Sequence, residues 1–363
     1  MRATVWRDWI EPATLVVTAL GMIGCAAAVF VDGARFYAAW LCAYLFWLGL
    51  PLGAVTLVLV HDLTGGAWMA TARPVLNAAV ATMPLALLAG IPLLFGLGSL
   101  YPWLAAALPN HFYLNAPFFI SRYIGDVILW NALAAYALWL PRGLTQGIAP
   151  ALSWLSGIGL LVLAYTVSFA AIDWVLSLQP RFWSAIFPMV AGAGWFNTGL
   201  AIVLLIVALA MPDLARQQHM VSLTTILLST VIFWAYVEFC QFLIVWEADL
   251  GSEIPWYLHR IAGGWQGVTW LVAITGFLLP FLILVWSPAK RSRLVVTIAC
   301  AIILFSRLLD IFWMVQPDIT LRPGRWPDIA AMLALSGLML LWFQRCLRGV
   351  PLPLIRPRAA AAR

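Results

Sequence analysis

The residues of this sequence that could do chemistry are ionisable groups set inside long apolar runs. They are Asp126, Asp173, Glu238, Arg307 and Asp310, with His61 and Asp62 at the end of another run. A charge at the centre of a membrane helix costs roughly 2.5–3.5 kcal/mol on insertion scales, so each needs a partner, a wet cavity or a purpose. Two local pairs are available. Arg122 and Asp126 stand i, i+4, and Arg307 and Asp310 stand i, i+3, so each pair can meet on one helix face and neutralise itself. Glu238 has no basic residue within a turn, and Gln241 is its nearest polar companion. A buried carboxyl without a counter-charge is the kind of group that exchanges a proton, which makes Glu238 the best single candidate for proton handling.

The elements that must position these groups follow from composition. Apolar residues make up 64% of the 363 and charged residues 9%, where a soluble domain carries about 25% charged. The fold class expected is an all-α integral membrane protein of about ten helices, each about 20 residues long. The runs are Pro12 to Val31, Phe36 to Val60, Pro74 to Leu97, Pro117 to Leu140, Ala151 to Leu176, Ala185 to Met211, Val221 to Trp246, Gly264 to Trp286, Leu294 to Val315 and Ile329 to Phe343. Met22-Ile23-Gly24-Cys25 loosely resembles a lipoprotein cleavage site, but Asp8 and Glu11 spoil the basic segment that should precede it. The first run is therefore read as an uncleaved span. Residues 1–350 form one membrane domain with no soluble insertion, and 351–363 form a short basic tail.

Sidedness and depth can be read from the same runs. Lys and Arg number thirteen on the side of both termini and six on the other, which predicts cytoplasmic termini. Asp126 lies nine residues past Pro117, Glu238 lies eight before Trp246, and Asp173 and Asp310 lie near the outer ends of their runs. At about 1.5 Å per residue, the intramembrane charges gather in the outer half. The inner half holds hydroxyls and amides such as Asn77, Thr82, Asn131, Ser153, Thr225 and Ser229. An internal repeat is also visible: Asp173 precedes Gln179-Pro180 by six residues, as Asp310 precedes Gln316-Pro317. It predicts two four-helix units, 36–176 and 185–315, flanked by the first and last spans. The outer segment around Trp256, Tyr257, His259 and Arg260 is a plausible docking surface.

Several chemistries are excluded by residue type. No histidine lies mid-span, so paired haem ligands are missing. There is no phosphate-cradling glycine loop. The five cysteines show no C-x-x-C spacing and signal neither a metal site nor a disulfide framework.

Three stretches carry a family likeness: YLFWLGLPLGAVTLVLVHDLTGG (Tyr44 to Gly66), FAAIDWVLSLQP (Phe169 to Pro180) and QFLIVWEADLGSEIPWYLHR (Gln241 to Arg260). The chain resembles the F-type membrane subunit of alternative complex III, a bacterial quinol:cytochrome c oxidoreductase. That subunit belongs with the NrfD and polysulfide-reductase membrane anchors. The resemblance implies a ten-helix, proton-conducting subunit of the inner membrane with no cofactor of its own, while quinone or quinol is bound elsewhere in the complex. The partners it implies are a related quinol-binding membrane subunit, an iron–sulfur subunit and a multihaem cytochrome c subunit. Asp173 falls in the matching AIDW segment, Gln241, Trp256 and Tyr257 fall in the matching loop, and His61-Asp62 falls at the matching inner turn. The alternatives from other classes are a secondary transporter and a structural anchor for extrinsic redox subunits.

Overall fold

The computed structural model describes residues 2–66, 68–69, 72–105, 111–145, 153–210, 218–249, 251–319 and 326–348. The tail at 351–363 lies outside them, as do several residues of the Lys and Arg count. Among the described residues there is no β-strand. Also among the described residues, nine helical segments are long and apolar enough to cross a membrane. The run at Pro117 to Leu140 is also a helix, α7 (Ala116–Thr145). It is 30 residues long and carries Arg122, Asp126 and Asn131 along its length.

At the centre stands α2 (Gly33–Thr64), whose apolar stretch is almost wholly buried by protein. Its closest neighbour among the later spans is α9 (Phe187–Ala210), named here after α8 (Trp154–Trp174). In membranes, close helix approach depends on small residues, because lipid is as apolar as a leucine side chain. Gly49 and Gly53 of α2 supply that surface at a four-residue spacing. A Cβ added at Gly199 of α9 would stand 2.6 Å from the Gly49 carbonyl oxygen and 2.8 Å from the Gly53 Cα. α8 packs on both α2 and α9, and α7 packs on α8.

The second set of spans is built on α9. It comprises α10 (Gln218–Glu247), α12 (Trp265–Ala273) continuing through a π-helical turn at Ile274–Leu278 into α13 (Leu279–Val285), and α14 (Arg293–Val315). The short α11 (Ile254–Ile261) joins α10 to α12. The first and last spans, α1 (Arg2–Val31) and α15 (Trp326–Arg348), pack along each other, with Gly21 against the Ala334 backbone and Gly337 against Thr18. α15 also packs on α2.

The run from Pro74 to Leu97 departs furthest from a single helix. It is broken into α3 (Arg73–Val80), α4 (Met83–Leu88), α5 (Ile91–Phe95) and α6 (Leu97–Leu100). Pro84 and Pro92 sit in the first turns of α4 and α5 and remove the donors that would continue the helix. Side chains of neighbouring helices bond to carbonyls along the broken segment. Trp342 donates to Ala81 O (3.1 Å), Trp40 donates to Ala89 O (2.8 Å), and the Tyr123 hydroxyl donates to Leu87 O. These three side chains come from α15, α2 and α7, so the interruption is held by its neighbours.

The two spans linked by the repeat end in the same way. α8 gives way to a 3-10 turn at Leu176–Leu178, and α14 gives way to one at Gln316–Asp318.

Candidate functional site

The helix ends that carry Asp173 and Asp310 come together. Val175 just past α8, Leu45 of α2, Gly194 and Thr198 of α9, and Arg307 and Asp310 of α14 all border one cavity of about 10 Å³. That is the size of a single water. Of the ionisable residues expected from the sequence, Asp126, Asp173, Glu238, Arg307 and Asp310 are arranged around it, at one end of the bundle.

On the α8 side, the sequence pairing was wrong for Arg122. Its guanidinium reaches across to α8, donating from Nε to Asp173 Oδ2 (2.7 Å) and from Nη2 to Asp173 Oδ1 (2.8 Å). A third donor goes to the Tyr113 carbonyl (3.2 Å), and the guanidinium lies 3.9 Å from the centre of the Tyr113 ring. The two-point geometry of an Arg–carboxylate fork explains why Asp173 wins over the i+4 carboxylate. Asp126 makes no ion pair among the described residues and sits buried among Tyr44, Tyr123 and the Arg122–Asp173 pair. The Tyr44 hydroxyl is buried without a hydrogen-bond partner. Trp174, next to Asp173, is enclosed by the rings of Tyr44, Phe119 and Tyr123.

On the α14 side, Arg307 does pair with Asp310 (3.1 Å), as the i, i+3 spacing predicts. The pair is incomplete: Arg307 Nη2 and Asp310 Oδ1 are buried and have no partner among the described residues. The guanidinium lies 3.7 Å from the centre of the Trp234 ring. Room for it comes from Gly276 in the π-helical turn, where an added Cβ would stand 2.7 Å from Ser306 Oγ and 3.0 Å from Arg307 Nη2. Glu238, solitary in sequence, is close in space to Asp310, Arg307 and Arg260, and its Oε2 is buried with no partner. Gln241 accepts from the Ser184 hydroxyl (3.0 Å), leaving its own Nε2 unbonded.

Of the four residues expected to form a docking surface, two fold inward. Trp256 and Arg260 are buried and brace α11 from beneath. Arg260 donates to Asp318 Oδ2 (2.8 Å), to Met314 O (2.6 Å) and to Trp256 O (2.8 Å), and stacks 3.5 Å from the Trp256 ring centre. Burial pulls this guanidinium down from its ordinary value, and the adjacent Asp318 carboxylate opposes the pull. Tyr257 is half-buried beside Gln241 without completing a hydrogen bond, and burial holds its hydroxyl well above the usual phenol range. His259 is exposed and meets Asp318 (3.2 Å). Asp318 escaped the sequence reading, although it directly follows the repeated Gln-Pro pair.

His61 and Asp62 lie at the far end of α2 from this cluster. His61 Nε2 contacts Gly66 O (2.9 Å), and the Ser156 hydroxyl donates to Asp62 (2.5 Å) while contacting the Tyr136 hydroxyl (3.2 Å). Ser156 stands on α8, the helix that carries Asp173 at its other end. Asp62 therefore faces the Asp173 side of the molecule, whereas Glu238 stands on α10 across α9. Between the two levels, a cavity of about 350 Å³ among α2, α8, α9 and α10 is almost entirely apolar. Its hydroxyls, Thr56 and Thr230, are spent on carbonyls of their own helices.

The fold and this charge pattern define a polytopic, all-helical membrane protein with a polar cluster at one end of its bundle. Comparison with known proteins finds no family model that matches the chain and no matching curated sequence.

Proposed function

We propose that the chain is a non-haem membrane subunit of a quinol-oxidising respiratory electron-transfer complex in a bacterial inner membrane, and that it handles protons. In this reading α7 is the tenth span, the spans form two four-helix units with α1 and α15 alongside, and both termini are cytoplasmic. The cluster of Asp126, Asp173, Arg307, Asp310 and Glu238 then lies in the outer half. Quinol oxidation sends electrons to redox centres in partner subunits and releases protons, which these carboxylates pass outward. The partners are the related quinol-binding membrane subunit, the iron–sulfur subunit and the multihaem cytochrome c subunit suggested by the sequence resemblance.

The observation that carries the proposal is the set of unsatisfied atoms on Glu238, Asp310 and Arg307. A purely structural ion-pair network would be expected to close its hydrogen bonds, because a buried unpaired polar atom costs about 1–3 kcal/mol. Groups that bind and release protons through water need open positions. A secondary transporter would use a broken helix to offer free carbonyls to an ion. Here the carbonyls Ala81, Leu87 and Ala89 are already taken by Trp342, Tyr123 and Trp40.

The test is purification from native membranes followed by substitution. The chain should copurify with c-type haem and iron–sulfur protein. Glu238→Gln should slow quinol turnover and proton release at least tenfold in an intact complex. Unchanged rates would leave an anchoring role, and the absence of redox partners would end the respiratory reading.

A further inference from the structure

Two features of the outward surface of α8 lie at one depth. The first is Tyr165, which is 69% exposed near the middle of the span Trp154–Leu178. At about 1.5 Å per residue it stands roughly 16 Å from the nearer end, close to the centre of a hydrocarbon core about 30 Å thick. Tyrosine is usual at the membrane interface, where its hydroxyl meets water. Here the hydroxyl has no hydrogen-bond partner among the described residues, and lipid chains offer none. The second feature is the cavity of about 350 Å³ between α8 and α10. Ala164 on one rim and Phe233 on the other are exposed, so it opens as a groove toward the bilayer. Ala164 directly precedes Tyr165, so ring and groove share a level.

A helix turns about 100° per residue. Around α8 this places Ala164 on the groove side of Leu161 and Ser168, and Tyr165 with Ile158 on the other side. Leu161 is itself among the exposed side chains. A two-fold axis along the membrane normal, passing beside Leu161 and Ser168, would carry the Tyr165 ring of each copy to the groove of the other at matching depth. An isologous contact needs such self-complementarity, with knob and hole on opposite sides of the axis. The groove also answers the hydroxyl. Thr56 and Thr230 line it and are part-exposed; each donates to a carbonyl of its own helix and keeps lone pairs that can accept. An acyl chain would fill the apolar groove and leave the phenol unbonded, whereas a second copy does both.

We infer that the outward face of α8 is a self-association surface: two copies of this chain pack at Leu161 and Ser168, and each seats Tyr165 in the other's groove against Thr56 and Thr230. The inference goes beyond the respiratory reading and does not depend on it.

The experiment uses the full chain, labelled with one fluorophore, in phosphatidylcholine–phosphatidylglycerol vesicles at falling protein-to-lipid ratio. Single-molecule photobleaching should show a monomer–dimer equilibrium. Ala164→Phe, which blocks the groove, and Tyr165→Ala, which removes the knob, should each weaken it at least tenfold. An interhelical hydrogen bond in a membrane is worth about threefold on average, and a two-fold interface counts each one twice, so Tyr165→Phe should weaken it at least fivefold. Tyr165 faces outward, so its two variants decide the matter if Ala164→Phe does not fold. In native membranes, copper-phenanthroline oxidation of Leu161→Cys should yield a crosslinked dimer of the chain above the background of the unmodified protein. Phe305→Cys, exposed on α14, should not. Single-step bleaching at every ratio overturns the inference and leaves lipid in the groove. So do dimerisation unchanged within twofold in both Ala164→Phe and Tyr165→Ala, equal crosslinking at Phe305→Cys, and a Leu161→Cys product with a different protein. Absence of redox partners ends the respiratory reading and leaves this dimer standing, and a monomer does the reverse, so the two fail separately.

Discussion

Asp173→Asn is the perturbation that most sharply separates the three-dimensional pairing from the local one. In the structure, Asp173 holds Arg122 by two charge-assisted hydrogen bonds of 2.7 and 2.8 Å, and its side chain is 5% exposed. Removing one partner of a buried pair leaves the other charge uncompensated and costs about 3–5 kcal/mol. Arg122 keeps its bond to the Tyr113 carbonyl and its position over the Tyr113 ring, which places the expected loss at the lower end, about 3 kcal/mol. Asp126→Asn breaks no ion pair and should cost less than about 1 kcal/mol. The assay is a double-mutant cycle in detergent, with unfolding followed by circular dichroism against a denaturing surfactant. Coupling between Arg122→Met and Asp173→Asn should be about 2 kcal/mol or more, and coupling between Arg122→Met and Asp126→Asn should be near zero. If Asp126 coupled to Arg122 more strongly than Asp173 does, the cross-helix assignment would be refuted.

Three further outcomes test other parts of the architecture. Gly199→Ala should destabilise by about 1–3 kcal/mol, because its Cβ would meet backbone of α2 that cannot retreat. Gly98→Ala, which meets nothing within 4 Å, is the control in the same thermal-unfolding series. Tyr123→Phe removes the cross-helix bond to the Leu87 carbonyl, which keeps its bond from the Gly90 N–H (3.0 Å), and should cost about 0.5–1.5 kcal/mol, read as lower stability and faster proteolysis of the span. Arg260→Met leaves Asp318 without its main partner and should lower stability by about 3–5 kcal/mol; equal stability would show that the α11 anchor is dispensable.

The membrane class and the extent of most spans were legible because an apolar run long enough to cross a bilayer has few other uses. The gathering of charge at one level was legible too, since depth along a helix follows from counting residues. What the sequence could not rank was which partner each charge takes. Local spacing offers Asp126 to Arg122 at i+4, but only the packing of α7 on α8 reveals a better-aligned carboxylate 51 residues away. The same limit hid the company kept by Glu238. The break in the third run had a signal in Pro84 and Pro92, but prolines are common in membrane helices and need not interrupt them. The inward turn of Trp256 and Arg260 had none, because an interfacial aromatic and a buried one look alike in sequence.

The arrangement changes what a proton route through this molecule would require. The ionisable residues do not form a column across the bilayer. They form a lateral band at one end, running from Asp126 and the Arg122–Asp173 pair, past the small cavity at Val175 and Leu45, to Arg307, Asp310 and Glu238. The opposite end offers Asp62 and Ser156, linked to the band along α8. From Ser156 to Asp173 is about 25 Å at the helical rise, far beyond one water bridge. The intervening cavity is apolar, and its hydroxyls are occupied. Passing protons from a partner's reaction sideways into the band and out at the near surface needs no wetting of that barrier, whereas pumping across the bilayer does. Release without pumping is therefore the lower-cost use of this geometry. Replacing Asp62 with Asn discriminates the two: proton release should stay within twofold of the unmodified protein if the band works alone, and should collapse if protons enter from the Asp62 end.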